Sequence, residues 1–94
     1  PMSAFADGFT QPAKITELIT DWGVDRMLVK TATPPINPDN CPLSDAYATA
    51  GDVSNHSQQA MLLTALNANL SIRLVISGCA TGRPGILGIY SSPN

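Results

Sequence analysis

The stretch QQAMLLTALNANLSIRLVISGC, residues 58–79, changes its apolar period halfway along, and that change decides the fold. Up to Ala68 the residues Met61, Leu62, Ala65 and Leu66 recur at helical spacing, in a run of Ala, Leu, Met and Gln that favours a helix. From Ser71 the period drops to two. Ile72, Leu74 and Ile76 alternate with Arg73, Val75 and Ser77, the strongest strand signal in the chain. The pattern predicts a helix over 57–68, ended by Asn69 in a left-handed cap, and a strand over 71–77 that Gly78 and Cys79 end.

Outward from this core, Thr81-Gly82-Arg83-Pro84-Gly85 reads as a turn and Ile86 to Tyr90 as a closing strand. On the other side, Asp52 to Ser57 is a polar loop and Leu43 to Ala50 a weakly patterned short strand. The run TPPINPDNCP, residues 33–42, holds four prolines and is expected to be an ordered loop or polyproline-like crossing. Before it, Lys14 to Thr20 and Val24 to Thr31 alternate and pair as a hairpin across Asp21-Trp22-Gly23, with Arg26, Leu28 and Lys30 sharing one face. Arg26 and Lys30 are expected on solvated surface. Residues 1–12 have no period and read as an arm whose Phe5 and Phe9 dock on the body or on a neighbouring subunit, leaving 13–94 as a single domain. The resulting order β-β-β-α-β-β, mainly β with one helix, predicts a five-stranded OB-like barrel.

At 94 residues and 9.8 kDa the chain supports one core. Apolar residues make up 44% and charged residues 13%, which excludes a disordered or charge-driven binder. With Lys+Arg 5 against Asp+Glu 7 and a pI near 4.9, there is no basic footprint, so nucleic acid is not an expected partner. Apolar runs fall far short of the ~20 residues that span a bilayer, and no membrane insertion is expected. The start at Pro1, without an initiator Met or a signal-like segment, reads as a processed or trimmed chain. Much apolar composition with few charges, together with the Phe-bearing arm, predicts a homo-oligomer.

Two cysteines, Cys41 and Cys79, are too few for a structural zinc site. A disulfide is the simplest account, two free buried thiols the alternative. A bridge would restrict the unfolded chain by about 4 kcal/mol in the loop-entropy model and implies a secreted, oxidising setting. The sequons Asn55-His56-Ser57 and Asn69-Leu70-Ser71 are compatible with that setting.

Catalytic chemistry has little to stand on. The single His56 reads as a helix-entry residue, and Gly82-Arg83-Pro84-Gly85 lacks the Lys-Ser/Thr pair and following helix of a phosphate loop. No enzyme, no cofactor and no metal site are therefore expected. Binding has more. Asp21, Trp22, Gly23 and Asp25 place the only Trp among carboxylates in a tight turn, a minimal pyranose site in which the indole takes the C–H face and the carboxylates accept from hydroxyls. The competing reading packs Trp22 on the arm and makes the two Asp turn formers. A second polar cluster, Asp39 and Asn40 with Gly78, would be drawn together by a Cys41–Cys79 bridge; its competing reading is an Asx turn shaping the proline loop.

The runs KITELITDWGVDRMLVKT (14–31) and QQAMLLTALNANLSIRLVISGC (58–79) resemble the B subunits of subtilase cytotoxin and pertussis-like toxins. The resemblance implies a secreted barrel with one disulfide, assembled into glycan-binding rings, with a site at the first hairpin: Asp21, Trp22 and Asp25. Those subunits carry a sialic-acid-binding Ser in that hairpin, whereas Gly23-Val24-Asp25 has none and is acidic. A neutral galactose or N-acetylgalactosamine glycan is the expected ligand. The alternative is a non-catalytic protein-binding or toxin-assembly module, using a strand edge or the Pro34-Pro35-Ile36 loop.

Overall fold

The computed structural model describes residues 7–20, 26–49 and 56–92. Its elements run β1 (Asp7–Phe9), β2 (Ala13–Thr20), β3 (Met27–Thr31), β4 (Tyr47–Thr49), α1 (His56–Ala68), β5 (Ser71–Ala80) and β6 (Arg83–Ser92). The chain is mainly β with one helix, and its strands close a ring. β2 pairs with β3, β3 with β4, β4 in parallel with β6, β6 with β5, and β5 back to β2. β1 adds to β5 just beyond the short β2–β5 contact, so β1 and β2 line the same edge of β5 in succession.

Alternation explains the core. Ile72, Leu74 and Ile76 of β5 point inward, meeting Ile15, Met27, Val29, Tyr47 and Ile86 from the other strands. Leu62 and Ala65 close this cluster from α1, the only buried residues of that helix. Asn69 ends the helix as expected, at φ 56°, while Leu70 N–H donates to Ala65 O and Asn69 N–H to Leu66 O, a Schellman closure. Lys14 Nζ reaches Asn69 O and ties this end to β2. Within that core Tyr47 is 1% exposed and its hydroxyl accepts from Ile36 N–H at 2.9 Å, which anchors the proline-rich loop. Burial pushes the Tyr47 phenol above its ordinary pKa, partly offset by that hydrogen bond.

Several boundaries differ from the sequence reading. β5 does not end at Gly78-Cys79 but runs on to Ala80, because Gly78 at φ 70° forms a bulge and pairing resumes at Cys79 opposite Pro84. Consequently the predicted turn over 81–85 shrinks to Thr81-Gly82, and β6 begins at Arg83. Gly85 belongs to this bulge, since a Cβ there would sit 3.0 Å from Ser77 O. The strand predicted over 43–50 is Tyr47–Thr49, all three buried and therefore without visible alternation. Leu28 shares its face with Lys30, yet it is covered by Ala46 and Ala48 and forms a second small cluster with them. Arg26 is half-buried rather than solvated, and Lys30 pairs with Glu17 at 3.6 Å.

Arg83, at the start of β6, forks onto Asp45: Nε to Oδ1 at 2.8 Å and Nη2 to Oδ2 at 3.3 Å. The hydrogen bond from Arg83 holds the Asp45 carboxyl below its ordinary range, against a smaller opposing desolvation. A carboxyl with a lowered folded pKa stabilises above its unfolded value of about 3.9, and loses that contribution as pH falls through the folded value. Asp45 is exposed, so the effect is small. Urea midpoints of wild type and Asp45→Asn are expected to differ at pH 7 and converge near pH 2. A gap that persists or widens in acid would contradict this linkage.

Candidate functional site

Asp21, Trp22, Gly23 and Asp25 lie outside the described residues. The other predicted cluster is described, and Asp39 and Gly78 of it meet. Cys41 and Cys79 form a disulfide with Cα atoms 5.8 Å apart. Asp39 Oδ2 accepts from Gly78 N–H at 2.7 Å, so its carboxylate caps the backbone of the β5 bulge. Asn37 grips Cys41 from both sides, Oδ1 accepting from Cys41 N–H at 2.8 Å and Nδ2 donating to Cys41 O at 3.0 Å. Asn40 stands exposed at φ 51°, in the turn that its N–H closes onto Asn37 O. These contacts shape the proline loop and hold it to β5, which is the Asx-turn role. Gly78 itself is buried and offers no surface.

A different surface concentrates exposed aromatic area. On β5 the outward residues are Arg73, Val75 and Ser77, opposite the buried Ile72, Leu74 and Ile76. Register places Phe9 of β1 directly beside Val75, and Tyr90 of β6 directly beside Arg73. Phe9 and Tyr90 are 54% and 56% exposed with ring centroids 6.3 Å apart, tilted 39°. The Arg73 guanidinium lies 5.5 Å over the Phe9 ring, while its Nε donates to Thr10 O at 3.4 Å. Its terminal nitrogens meet no acceptor among the described residues.

This arrangement is held by backbone. Thr10 is buried and clamps Leu74 twice: its N–H donates to Leu74 O at 2.9 Å, and its Oγ1 accepts from Leu74 N–H at 2.8 Å. Phe9, one residue earlier, is thereby fixed on the outside of β5. On β6 the bulge opposite Val75–Ile76 leaves Leu87 unpaired and 62% exposed at the edge of the same area. Gly88 faces Val75 and puts no side chain over it. The result is a strip carrying two aromatic faces, an aliphatic rim and a guanidinium whose terminal nitrogens meet no acceptor among the described residues.

Sequence reading marked Phe9 as a docking aromatic, and alternation put Arg73 outward. It did not join them to Tyr90, because that depends on register between strands distant in the chain. The strip can stack flat apolar faces and donate hydrogen bonds. Among the described residues no group of His, Cys, Asp and Glu side chains could hold a metal ion, and no helix is long and apolar enough to cross a membrane. No family model, no curated protein and no solved structure matches this chain.

Proposed function

We propose that this chain is a secreted, non-catalytic carbohydrate-binding protein, and that its sugar lies on the strip of Phe9, Arg73 and Tyr90. One observation carries the reading: two half-exposed aromatic rings, Tyr90 on a strand of the closed ring and Phe9 on β1 beside the Thr10–Leu74 clamp, flank a guanidinium whose terminal nitrogens meet no acceptor among the described residues. A pyranose presents a C–H face to such rings and hydroxyl acceptors to such donors. The disulfide is consistent with an oxidising setting. A neutral galactose or N-acetylgalactosamine, with its C–H face on the rings and its hydroxyls accepting from the guanidinium, is the proposed ligand, presented to several subunits at once so that weak sites add. Arg73 favours a second reading, a carboxylate-bearing sugar such as sialic acid, which a guanidinium can grip bidentately.

Calorimetric titration with galactose, N-acetylgalactosamine and sialyllactose separates the two, because univalent sugars remove the avidity of arrays. Phe9→Ala and Tyr90→Ala are each expected to weaken binding about tenfold, or ~1.4 kcal/mol, with circular dichroism unchanged. Arg73→Gln should abolish a preference for sialyllactose and weaken a neutral sugar only modestly. Loss in Trp22→Ala or Asp21→Asn with Phe9→Ala intact would move the site to the hairpin. If no sugar binds any form, the protein-binding or toxin-assembly module takes the place of the lectin.

A further inference from the structure

The two halves of the Cys41–Cys79 bridge stand in different surroundings. Cys41 is 6% exposed, at the inner end of the proline-rich loop, whereas Cys79 lies exposed on β5, between the Gly78 bulge and the Thr81-Gly82 turn. A thiolate cleaves a disulfide by approaching one sulfur in line with the bond, from the side away from the other sulfur, and exposed bridges are the exchangeable ones. For Cys79 that approach comes from solvent. For Cys41 it would have to pass through the body of the domain. The seam, moreover, does not depend on the bridge alone. Asn37 holds both backbone groups of Cys41, Asp39 Oδ2 accepts from Gly78 N–H at 2.7 Å, and Leu43 N–H donates to Gly82 O at 2.8 Å. These contacts keep the loop against β5 when the S–S bond is gone. A place also exists for the thiol that opening creates, since Cys41 Sγ lies 3.5 Å from Gly78 O and can donate to it once protonated.

We propose that Cys79 is a thiol-exchange site, at which a small thiol such as glutathione opens the bridge in the folded protein and stays attached as a mixed disulfide. The incoming thiol, ionised in solvent, forms a new S–S bond to Cys79 Sγ as the Cys41–Cys79 bond breaks. The electron pair of the broken bond leaves on Cys41 Sγ, which takes up one proton and becomes a buried thiol. One thiol is consumed and one appears, so the step needs no other oxidant or reductant. Stability then follows the surroundings. Closed, the bridge restrains the unfolded chain between residues 38 apart; opened, that restraint is lifted without any prior unfolding. This inference is independent of the sugar reading.

Incubation of the oxidised chain in a buffer of reduced and oxidised glutathione tests it, followed by acid quenching, alkylation of remaining thiols with N-ethylmaleimide in denaturant, and peptide mapping. Glutathione is expected on Cys79 in about tenfold excess over Cys41, with N-ethylmaleimide on Cys41 of the same molecules and native circular dichroism in the adduct. The opening rate should stay flat in urea up to the foot of the unfolding transition, because no global opening precedes the attack. A rate that climbs along the global unfolding slope overturns the proposal, as does glutathione shared evenly between the two cysteines or carried mainly on Cys41. No adduct in the folded protein, under conditions where the urea-unfolded chain reacts, overturns it as well.

Discussion

The double variant Cys41→Ala/Cys79→Ala is expected to lose about 4 kcal/mol of unfolding free energy while keeping its native circular dichroism. The bridge joins residues 38 apart, and a loop of that length restricts the unfolded ensemble by roughly this amount in the chain-entropy model. The folded side changes little, because other contacts cross the same seam: Asp39 to Gly78 N–H at 2.7 Å and Leu43 N–H to Gly82 O at 2.8 Å. For a domain whose total stability is of order 5–15 kcal/mol, such a loss is decisive. Urea melts of the oxidised wild type and the double variant measure it. An unchanged midpoint would mean that the unfolded chain is already compact around this loop.

Leu62→Ala is expected to cost about 3 kcal/mol, within the usual range for a fully buried leucine. Leu62 is 0% exposed and is the one large side chain by which α1 enters the core, with Ala65 beside it. The cavity would open between α1 and the inward residues of β2 and β6, which cannot collapse because their strands belong to a closed ring. Hydrogen exchange shows where the energy goes. Amides of α1 should lose protection first, through undocking of the helix, with β5 and β6 following only in global opening. Equal loss of protection in helix and strands would show that α1 is integral to the ring's cooperativity.

The sequence made legible what local period determines. β2, β3, α1 and β5 each carry a run of alternating or helically spaced apolar residues, and they form within a few residues of expectation. β1 escaped as a strand because Asp7-Gly8-Phe9 is three residues long and includes a glycine; it is a strand only by pairing with 75–77. Gly78, Pro84 and Gly85 read as breakers, yet they build a bulge inside two long strands, a use of glycine and proline that composition cannot separate from a turn. The strip of Phe9, Arg73 and Tyr90 was hidden for the same reason. Its members belong to three strands, and only their register brings them together. Of the second polar cluster, Asp39 and Gly78 meet beside the disulfide, carboxylate to backbone N–H, whereas Asn40 turns back onto Asn37.

The parallel pairing of β4 with β6 places Ala48 opposite Gly85 and Thr49 opposite Ile86, across the whole of α1 and β5. A nascent chain cannot make this contact until α1, β5 and β6 have all been synthesised, and no local hairpin can substitute for it. High contact order of this kind slows the folding step to milliseconds or longer, compared with microseconds for a helical bundle of similar length. Until β6 arrives, β4 has an open edge, and during that interval the protein depends most on low concentration or on a chaperone to stay out of aggregates.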